Sequence, residues 1–251
     1  MDYTPRELMV AAAAREIRDG EKVFVGMRLP LLGFAVAKEL HAPTAVGIFE
    51  NGVIRDWPAL DPIFTMSDPP NVARSLYCGG LIDVMSLLQS GRIDLGFIGG
   101  AEVDRYGNLN TNWVEYEGKR TRLPGSGGAA DIATLAKRSI IIMNHERRRF
   151  PPKVHYITSP GFGDGARWRE NNHLAGGGPS RVITSMGIFS FDPASREMIL
   201  ISNHPGVTVE AIEKETGWRL RISPDLRQTP PPSRDALAAV RKYDPKGVWT
   251  S

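Results

Sequence analysis

The chain contains the stretch Ala45-Val46-Gly47-Ile48-Phe49-Glu50-Asn51-Gly52, a short apolar run that ends in a carboxylate and an Asn-Gly pair. A run of this length predicts a buried strand, and Asn51 and Gly52 tolerate the positive φ angles of a tight turn. Glu50 is therefore expected where the strand ends. In α/β proteins such strand ends often carry the chemistry, because the sheet holds the side chains beyond it rigidly. Glu50 is a candidate functional residue, and a solvated turn carboxylate is the alternative.

Helical and strand patterns alternate on both sides of this stretch. Thr4, Pro5 and Glu7 predict a capped helix start near the N-terminus. Up to residue 98, the predicted elements besides the Glu50 strand are a helix over 8–18, a strand over 22–26, a helix over 34–40, a helix over 81–90 and a strand over 95–98. Parallel strands need long crossover connections, so this order predicts an α/β fold with a mainly parallel sheet and crossover helices.

The second half of the chain is predicted to be richer in strands. The predicted elements there are strands over 139–143, 154–157, 181–184, 187–191 and 198–201, a helix over 209–216 and a terminal helix over 233–242 that Ser233 caps. Residues 55–71 are rich in Pro and Asp and predict an irregular excursion. No clear linker divides the chain, so we expect one domain over 1–251.

Bulk composition limits the classes of function. Hydrophobic residues make up 41% and charged residues 24% of the 251 residues, which is typical of a globular domain. The net charge of +3 is too small to indicate nucleic-acid binding. No membrane-spanning stretch or signal peptide is expected, and the single cysteine, Cys78, is compatible with a reducing compartment. We therefore expect a cytoplasmic protein.

Two glycine-bearing loops are further candidates for a binding site. Gly99, Gly100 and Ala101 follow a predicted strand, where adjacent glycines let a backbone or a ligand approach closely. Residues 123–133 form a glycine-rich loop that opens a predicted helix ending near Lys137. Unpaired amides at such a helix start suit a phosphate or an oxyanion, and a plain tight turn is the alternative.

Histidine chemistry and metal binding are not indicated. None of the five histidines has a Ser or Cys nucleophile signature beside it, so structural or surface roles are expected. No His/Cys pair has the spacing of a metal site.

Together these stretches resemble the β subunit of the family I coenzyme A transferases, in particular the glutaconate CoA-transferase type. The motifs that carry the resemblance are, in chain order, the loop over 26–30, Phe49-Glu50-Asn51-Gly52, residues 99–108, Gly125-Ser126-Gly127-Gly128-Ala129, residues 145–150 and residues 158–161. The resemblance covers nearly the whole chain. It implies the α/β fold that this family shares with sugar-phosphate isomerases, and a homologous α subunit as partner in a heterodimer, in an expected α2β2 assembly.

The resemblance also implies roles for individual residues. Glu50 stands where the family has its covalent nucleophile, which carries CoA as a glutamyl thioester. The loop containing Gly127, Gly128 and Ala129 is expected to bind the oxyanion and CoA, because carbonyl addition builds negative charge that backbone amides stabilise. A CoA thioester is then a substrate, and no permanently bound cofactor or metal is expected.

Binding residues are expected around these two features. Gly99, Gly100 and Ala101 are candidates for contact with the pantetheine arm of CoA. Arg28 and Asn51 are candidates for contact with the substrate, and Arg28 or Arg55 for pairing with the distal carboxylate of a dicarboxylic acid.

Two alternatives stay open at this point. Relatives of this fold without the glutamate are decarboxylases or hydrolases of CoA thioesters, so a hydrolase of thioesters or β-diketones, or a decarboxylase, is the second hypothesis. A non-catalytic sugar-phosphate-binding module is the third, although the sequence has no helix-turn-helix segment before the fold.

Overall fold

The computed structural model describes residues 2–59 and 61–251. They form two compact units, one consisting of the residues up to Phe97 together with Pro231–Ser251, and the other consisting of Ile98–Pro230. Within the described residues the helices are α1 (Pro5–Arg15), α2 (Leu29–Leu40), α3 (Pro69–Val72), α4 (Leu81–Gln89), α5 (Ala129–Leu135), α6 (Trp168–Asn171), α7 (Val209–Lys214) and α8 (Arg234–Tyr243), with a 3₁₀ turn at Arg147–Arg149.

The strands alternate with these helices along the first part of the chain and dominate its second part. They are β1 (Lys22–Phe24), β2 (Val46–Ile48), β3 (Val53–Arg55), β4 (Tyr77–Cys78), β5 (Leu95–Ile98), β6 (Glu102–Val103), β7 (Leu109–Asn110), β8 (Trp113–Tyr116), β9 (Lys119–Arg122), β10 (Arg138–Met143), β11 (Pro179–Thr184), β12 (Gly187–Phe191), β13 (Met198–Asn203) and β14 (Arg221–Gln228).

In the first unit the strands follow the order β5-β1-β2-β3-β4. The pairs that β1 makes with β2 and β5 are parallel, as expected for strands joined through helices. The pairs β2-β3 and β3-β4 are antiparallel. Strand pairing therefore changes from parallel to antiparallel at β2, the strand that leads to Glu50.

Residues 55–59 and 61–71 are more ordered than predicted. They contain the end of β3 and the start of the one-turn helix α3. Arg55 explains the order, because its buried guanidinium donates hydrogen bonds to the carbonyls of Trp57, Pro70, Asn71 and Ala73. The sequence-based interpretation of Arg55 as a ligand for substrate is wrong, since the side chain fastens its own loop.

Three helices, α1, α2 and α8, pack together in the first unit. The predicted cap of α1 is confirmed, with a reciprocal capping box between Thr4 and Glu7. Ser233 caps α8 by accepting a hydrogen bond from the Ala236 amide. Gly33 allows α1 and α2 to approach closely, since an added Cβ would lie 3.2 Å from the Ala13 side chain. This packing buries the apolar faces of the helices, including Leu8, Phe34 and Leu237.

In the second unit the strands follow the order β14-β13-β12-β11-β10. β10 and β11 are parallel, as are β13 and β14, whereas β12 pairs antiparallel with both neighbours. Two small hairpins, β6-β7 and β8-β9, stand apart from this sheet. The α/β class with a β-rich second half is confirmed.

Some strands in the second unit differ from the predictions. The strand predicted over 154–157 is wrong, because these residues are not in a strand. The nearby β pairing is an isolated bridge between Ser159 and Leu109. β9 and β14 were not predicted, because β9 is wholly exposed and β14 mostly so, and neither has the apolar alternation of a half-buried strand. In the described part of the chain, no helix is long and apolar enough to cross a membrane.

Candidate active site

Glu50 lies just beyond β2, in the turn that leads into β3. The turn is closed by two hydrogen bonds, from the Phe49 amide to the Val53 carbonyl at 2.8 Å and from the Gly52 amide to the Phe49 carbonyl at 3.0 Å. Phe49 and Val53 are buried, whereas Glu50 is partly exposed. The hairpin thus holds the backbone of the partly exposed Glu50 at the strand end predicted from sequence.

Gly52 fixes this turn against residues 79 and 80. Its φ of +103° is in the region that favours glycine, and an added Cβ would lie 2.2 Å from the Gly79 carbonyl oxygen. The Gly79 amide donates a 3.0 Å hydrogen bond to the Gly52 carbonyl. Neither the position nor the conformation of the Glu50 turn can change without disturbing this contact.

Asn51 ties a second loop to the turn. Its Nδ2 donates a 2.7 Å hydrogen bond to the Met66 carbonyl, while its Oδ1 accepts from the Val53 amide at 3.4 Å. Asn71 donates to the same Met66 carbonyl at 2.7 Å. The side chain of Asn51 therefore positions the loop around Met66 next to Glu50.

Arg28 belongs to the same edge of the sheet as Glu50. β1 and β2 are parallel, with Phe24 beside Ile48 in register, so the loops after both strands leave from one edge. Arg28 precedes α2 with a φ of 67° and a ψ of −121°, which is a strained conformation for a residue with a side chain. Its guanidinium lies 5.6 Å from the ring centroid of Trp249.

The glycines after β5 are explained by the second unit's own packing. An added Cβ on Gly100 would lie 2.9 Å from Leu109, and one on Gly99 would lie 3.2 Å from the Ile142 carbonyl. The Ala101 amide donates a 2.9 Å hydrogen bond to the Asn110 carbonyl. These glycines therefore leave room for the side chain of Leu109 and the carbonyl of Ile142, which are atoms of the protein itself.

The loop before α5 has the conformation of a tight turn. Gly127 has a φ of +51°, and Gly128 is the N-cap residue of α5, which ends at Leu135, close to the predicted end near Lys137. The Ala129 amide donates a 3.0 Å hydrogen bond to the Ser126 carbonyl. In this conformation Ala129 uses its amide within the turn and does not offer it to a ligand.

Sequence reasoning missed a buried polar group in the second unit. Glu102 is fully buried, and its carboxylate accepts hydrogen bonds from Asn110 Nδ2 at 2.7 Å, Tyr116 Oη at 3.1 Å and His155 Nδ1 at 2.6 Å. We call these four residues the Glu102 cluster. Burial, together with the nearby Glu102 carboxylate, raises the pKa of Tyr116 to about 12. No local pattern relates residues so far apart in sequence, so only the fold could identify them.

The buried histidines have structural surroundings. His145 stacks on Phe150 with ring centroids 3.9 Å apart and hydrogen bonds with Thr184 and Thr216. Burial lowers the pKa of His145 to about 4 and also lowers that of His204. Among the described residues, no group of three His, Cys, Asp or Glu side chains could hold a metal ion.

The sequence is related to those of known enzymes. Residues 6–215 match the coenzyme A transferase family. The chain is 38% identical over 244 residues to the β subunit of 3-oxoadipate CoA-transferase from Pseudomonas knackmussii, and the match covers 96% of this chain and 94% of that protein. It is 35% identical over 232 residues to the β subunit of glutaconate CoA-transferase from Acidaminococcus fermentans, covering 88% and 85% of the two chains.

Solved structures agree with these sequence relationships. The crystal structure of glutaconate CoA-transferase from Acidaminococcus fermentans is similar with a TM-score of 0.88 and 32% identity, covering 100% of this chain and 99% of that one. The decarboxylase AibA/AibB is similar with a TM-score of 0.84 and 27% identity, covering 98% and 97%. The resemblance inferred from the motifs is confirmed: the chain belongs to the coenzyme A transferase family, as the β subunit of a CoA-transferase.

Proposed function

We propose that this chain transfers CoA between an acyl-CoA and a carboxylic acid through a covalent intermediate on Glu50. The observation that carries the proposal is the position of Glu50, partly exposed at a strand end whose turn is fixed by Gly52 and Asn51, in a chain of this family. A carboxylate nucleophile suits the reaction, because it can accept an acyl group and then CoA without losing the thioester to water.

The proposed steps balance as follows. The Glu50 carboxylate attacks the acyl-CoA carbonyl and expels the CoA thiolate, which gives a mixed anhydride. The thiolate then attacks the glutamyl carbonyl, releases the first acid as its carboxylate and leaves a glutamyl-CoA thioester. The second acid attacks this thioester, and the same two steps in reverse give the new acyl-CoA and free Glu50. No resident cofactor is needed, since Glu50 carries both groups in turn.

Each carbonyl addition develops an oxyanion, and donors for it are part of the proposal. We assign this role to the backbone amides of Gly127 and Gly128, on the basis of their glycine-rich turn and of the family resemblance. Ala129 then completes the turn without contacting the oxyanion. A role for Gly99, Gly100 and Ala101 in letting pantetheine pass stays a secondary part of the proposal, because their own unit already explains these glycines.

A dicarboxylic acid is the substrate class that we propose. The relatives described above are named for 3-oxoadipate and glutaconate, which are both dicarboxylates. Arg28 has a guanidinium at the same sheet edge as Glu50 and can pair with a second carboxylate. Asn51 acts through the Met66 loop, as a positioning residue.

We also propose that a homologous α subunit completes the enzyme. The relatives are each named as one subunit of their enzyme, and AibA/AibB is named for two chains. An apolar surface on the first unit supports this proposal: Leu76, Tyr77, Leu81 and Ile82 are 59%, 46%, 52% and 82% exposed. We call these four residues the β4-α4 patch. Soluble monomers rarely expose large apolar side chains so close together.

The location of this patch suits a subunit that completes the active site. β4 is the last strand in the first unit's order, and Gly79, between β4 and α4, is hydrogen-bonded to the Glu50 turn. A subunit docked on the β4-α4 patch would therefore lie beside Glu50. We propose a heterodimer on this basis, and we propose its assembly as α2β2 from the family resemblance alone.

Trapping of the intermediate tests the proposal. The complex of this chain with its α subunit is incubated with acyl-CoA and digested, and mass spectrometry should find a CoA adduct on the peptide that contains Glu50. The Glu50→Ala complex should form no adduct. Absence of the adduct from the wild-type complex, together with full turnover in Glu50→Ala, would refute the role of Glu50.

A hydrolase or decarboxylase is the second candidate function, because AibA/AibB is a decarboxylase on a similar scaffold. Release of free CoA is measured with and without an acceptor acid. A transferase exchanges CoA only when the acceptor is present, whereas a hydrolase releases CoA without it and a decarboxylase releases carbon dioxide. Rapid CoA release without acceptor would replace the transferase assignment.

A further inference from the structure

A cavity in the first unit lies between α2, the loop before Met66 and the C-terminal segment after α8. Its volume is about 200 Å³, and its walls include Leu31, Ile63, Phe64, Lys246, Val248 and Trp249. Most of these side chains are apolar, and the rings of Phe64 and Trp249 are tilted relative to each other with their centroids 6.2 Å apart. The volume is below the roughly 300–1,000 Å³ of sites for drug-sized ligands, so the cavity suits a small acid.

The walls of the cavity are held in place by hydrogen bonds. The Asp68 carboxylate accepts from the Phe64 amide at 2.7 Å and from the Thr65 hydroxyl at 2.6 Å. In the C-terminal segment, the Asp244 carboxylate accepts from the Val248 and Trp249 amides at 2.7 and 2.9 Å. The cavity is therefore a formed feature of the fold, with both flanking segments fixed.

The cavity is connected to the Glu50 turn. The loop that supplies Ile63 and Phe64 continues to Met66, whose carbonyl accepts the 2.7 Å hydrogen bond from Asn51. Asn51 is the residue after Glu50. A single short loop thus runs from the cavity wall to the residue next to the nucleophile.

Charge at the cavity favours an anionic ligand. Lys246 lines the cavity, and the guanidinium of Arg28 lies on the ring of Trp249, another wall residue. The Asp244 carboxylate, also at the wall, is buried, and its oxygens are occupied by amide donors and the Thr250 hydroxyl. Asp61 lines a smaller neighbouring cavity and is exposed. The backbone of Arg28 has a strained conformation, and such strain is often found at binding sites.

We propose that this cavity is the acyl pocket of the β subunit. It takes the carbon chain of a small dicarboxylic acid whose near carboxylate reacts at Glu50, while Arg28 and Lys246 bind the distal carboxylate. The inference rests on the proposed function, because the near carboxylate needs Glu50 as its partner. It adds to that function a specific pocket, formed by residues from three distant segments, and a role for Lys246 and Trp249.

Direct binding measurements test the pocket. Adipate and hexanoate serve as probes, because they have the same number of carbons and differ in the distal carboxylate. Calorimetry with the complex of this chain and its α subunit should show adipate binding at least about fivefold more tightly than hexanoate, the size of one or two charge-assisted contacts. Equal affinities, or no binding of either acid, would overturn the proposal.

Three variants separate the contributions. Lys246→Gln should weaken adipate binding about fivefold and leave hexanoate unchanged, since Lys246 is exposed and its loss leaves the fold intact. Leu31→Trp fills the cavity and should weaken both acids about tenfold or more. Lys22→Gln is the matched control for Lys246→Gln: Lys22 is another exposed lysine of this unit and does not line the cavity, so both acids should bind as in wild type.

The outcomes distinguish the pocket from the proposed function. If Lys246→Gln and Leu31→Trp leave both affinities unchanged, the pocket is excluded even when the Glu50 adduct forms. If adipate binding depends on these residues but no adduct forms on Glu50, the pocket stands and the covalent mechanism fails. Glu50→Ala should still bind adipate through the distal carboxylate, with affinity within about tenfold of wild type.

Discussion

Two glutamates that come soon after buried strands, Glu50 and Glu102, have opposite environments. Both lie near glycines in the sequence. Glu102 is fully buried and accepts hydrogen bonds from Asn110, Tyr116 and His155. Glu50 is partly exposed, and the hydrogen bonds that fix its turn are made by the backbone and by Asn51. Glu102, buried among side-chain donors, stabilises the fold, whereas the partly exposed Glu50, at a turn with a fixed backbone, can be reached by a substrate.

The largest effect expected from this comparison is on turnover. Glu50→Ala should reduce CoA transfer by at least about 10⁴-fold, as expected for loss of a covalent nucleophile. It should change the free energy of unfolding by less than about 1 kcal/mol, because the turn keeps its backbone contacts. Acyl-CoA exchange assays and urea unfolding of the complex measure the two quantities. A variant that is both inactive and strongly destabilised would remove the contrast with Glu102.

Glu102→Ala should show the reverse pattern in stability. Removing this carboxylate leaves one N–H of Asn110 and the Nδ1 of His155 without their partner, while the Tyr116 hydroxyl keeps the Arg148 carbonyl as acceptor. The loss should cost about 3 kcal/mol in the free energy of unfolding. Glu115→Ala, at an exposed position of β8, is the control and should stay within about 0.5 kcal/mol of wild type. Equal effects of the two substitutions would show that the Glu102 cluster contributes little to the fold.

A third test uses His145, another buried polar residue of the second unit. Its folded pKa of about 4 is below the ordinary histidine pKa of 6.5, so the unfolded state binds protons first as the pH falls. Stability from this group is therefore present at pH 7 and lost as the pH falls from about 6.5 towards 4, by about 2 kcal/mol between pH 7 and 5. His145→Gln should flatten this part of the stability curve. Identical pH dependence in wild type and variant would contradict a buried, neutral His145.

The smallest effect concerns the surface beside Glu50. Ile82→Glu puts a charge into the β4-α4 patch and should weaken association with the α subunit about tenfold or more, measured by analytical ultracentrifugation. Ile222→Glu is the matched control, because Ile222 is also an exposed isoleucine but lies on β14 of the other unit. If both variants associate like wild type, the α subunit docks at another surface. The proposed mechanism of Glu50 would then stand, but the proposed interface at the β4-α4 patch would be wrong.

Local features of the fold could be predicted from the sequence. The cap at Thr4, the cap at Ser233 and the strand end at Glu50 depend on residues within four positions of one another. The apolar run of β5 and the partly buried pattern of β12 predict these strands with the bounds that the structure gives. Exposed strands such as β9 are not predicted from the sequence, because their composition does not distinguish them from loops. β9 is a strand because it pairs with β8 in a hairpin.

At the candidate site, the sequence predicts which residues are involved, but it does not predict what surrounds them. The sequence alone determined that Glu50 ends a strand, that glycines flank the candidate loops and that the motifs resemble those of CoA-transferase β subunits. The contacts of each residue depend on the folded structure. It placed Arg55 in its own loop and Asn51 against Met66, and it brought Leu31, Phe64 and Trp249 around one cavity. Turn and capping preferences act between close neighbours in the chain, whereas burial and hydrogen-bond partners depend on segments that meet only in the folded protein.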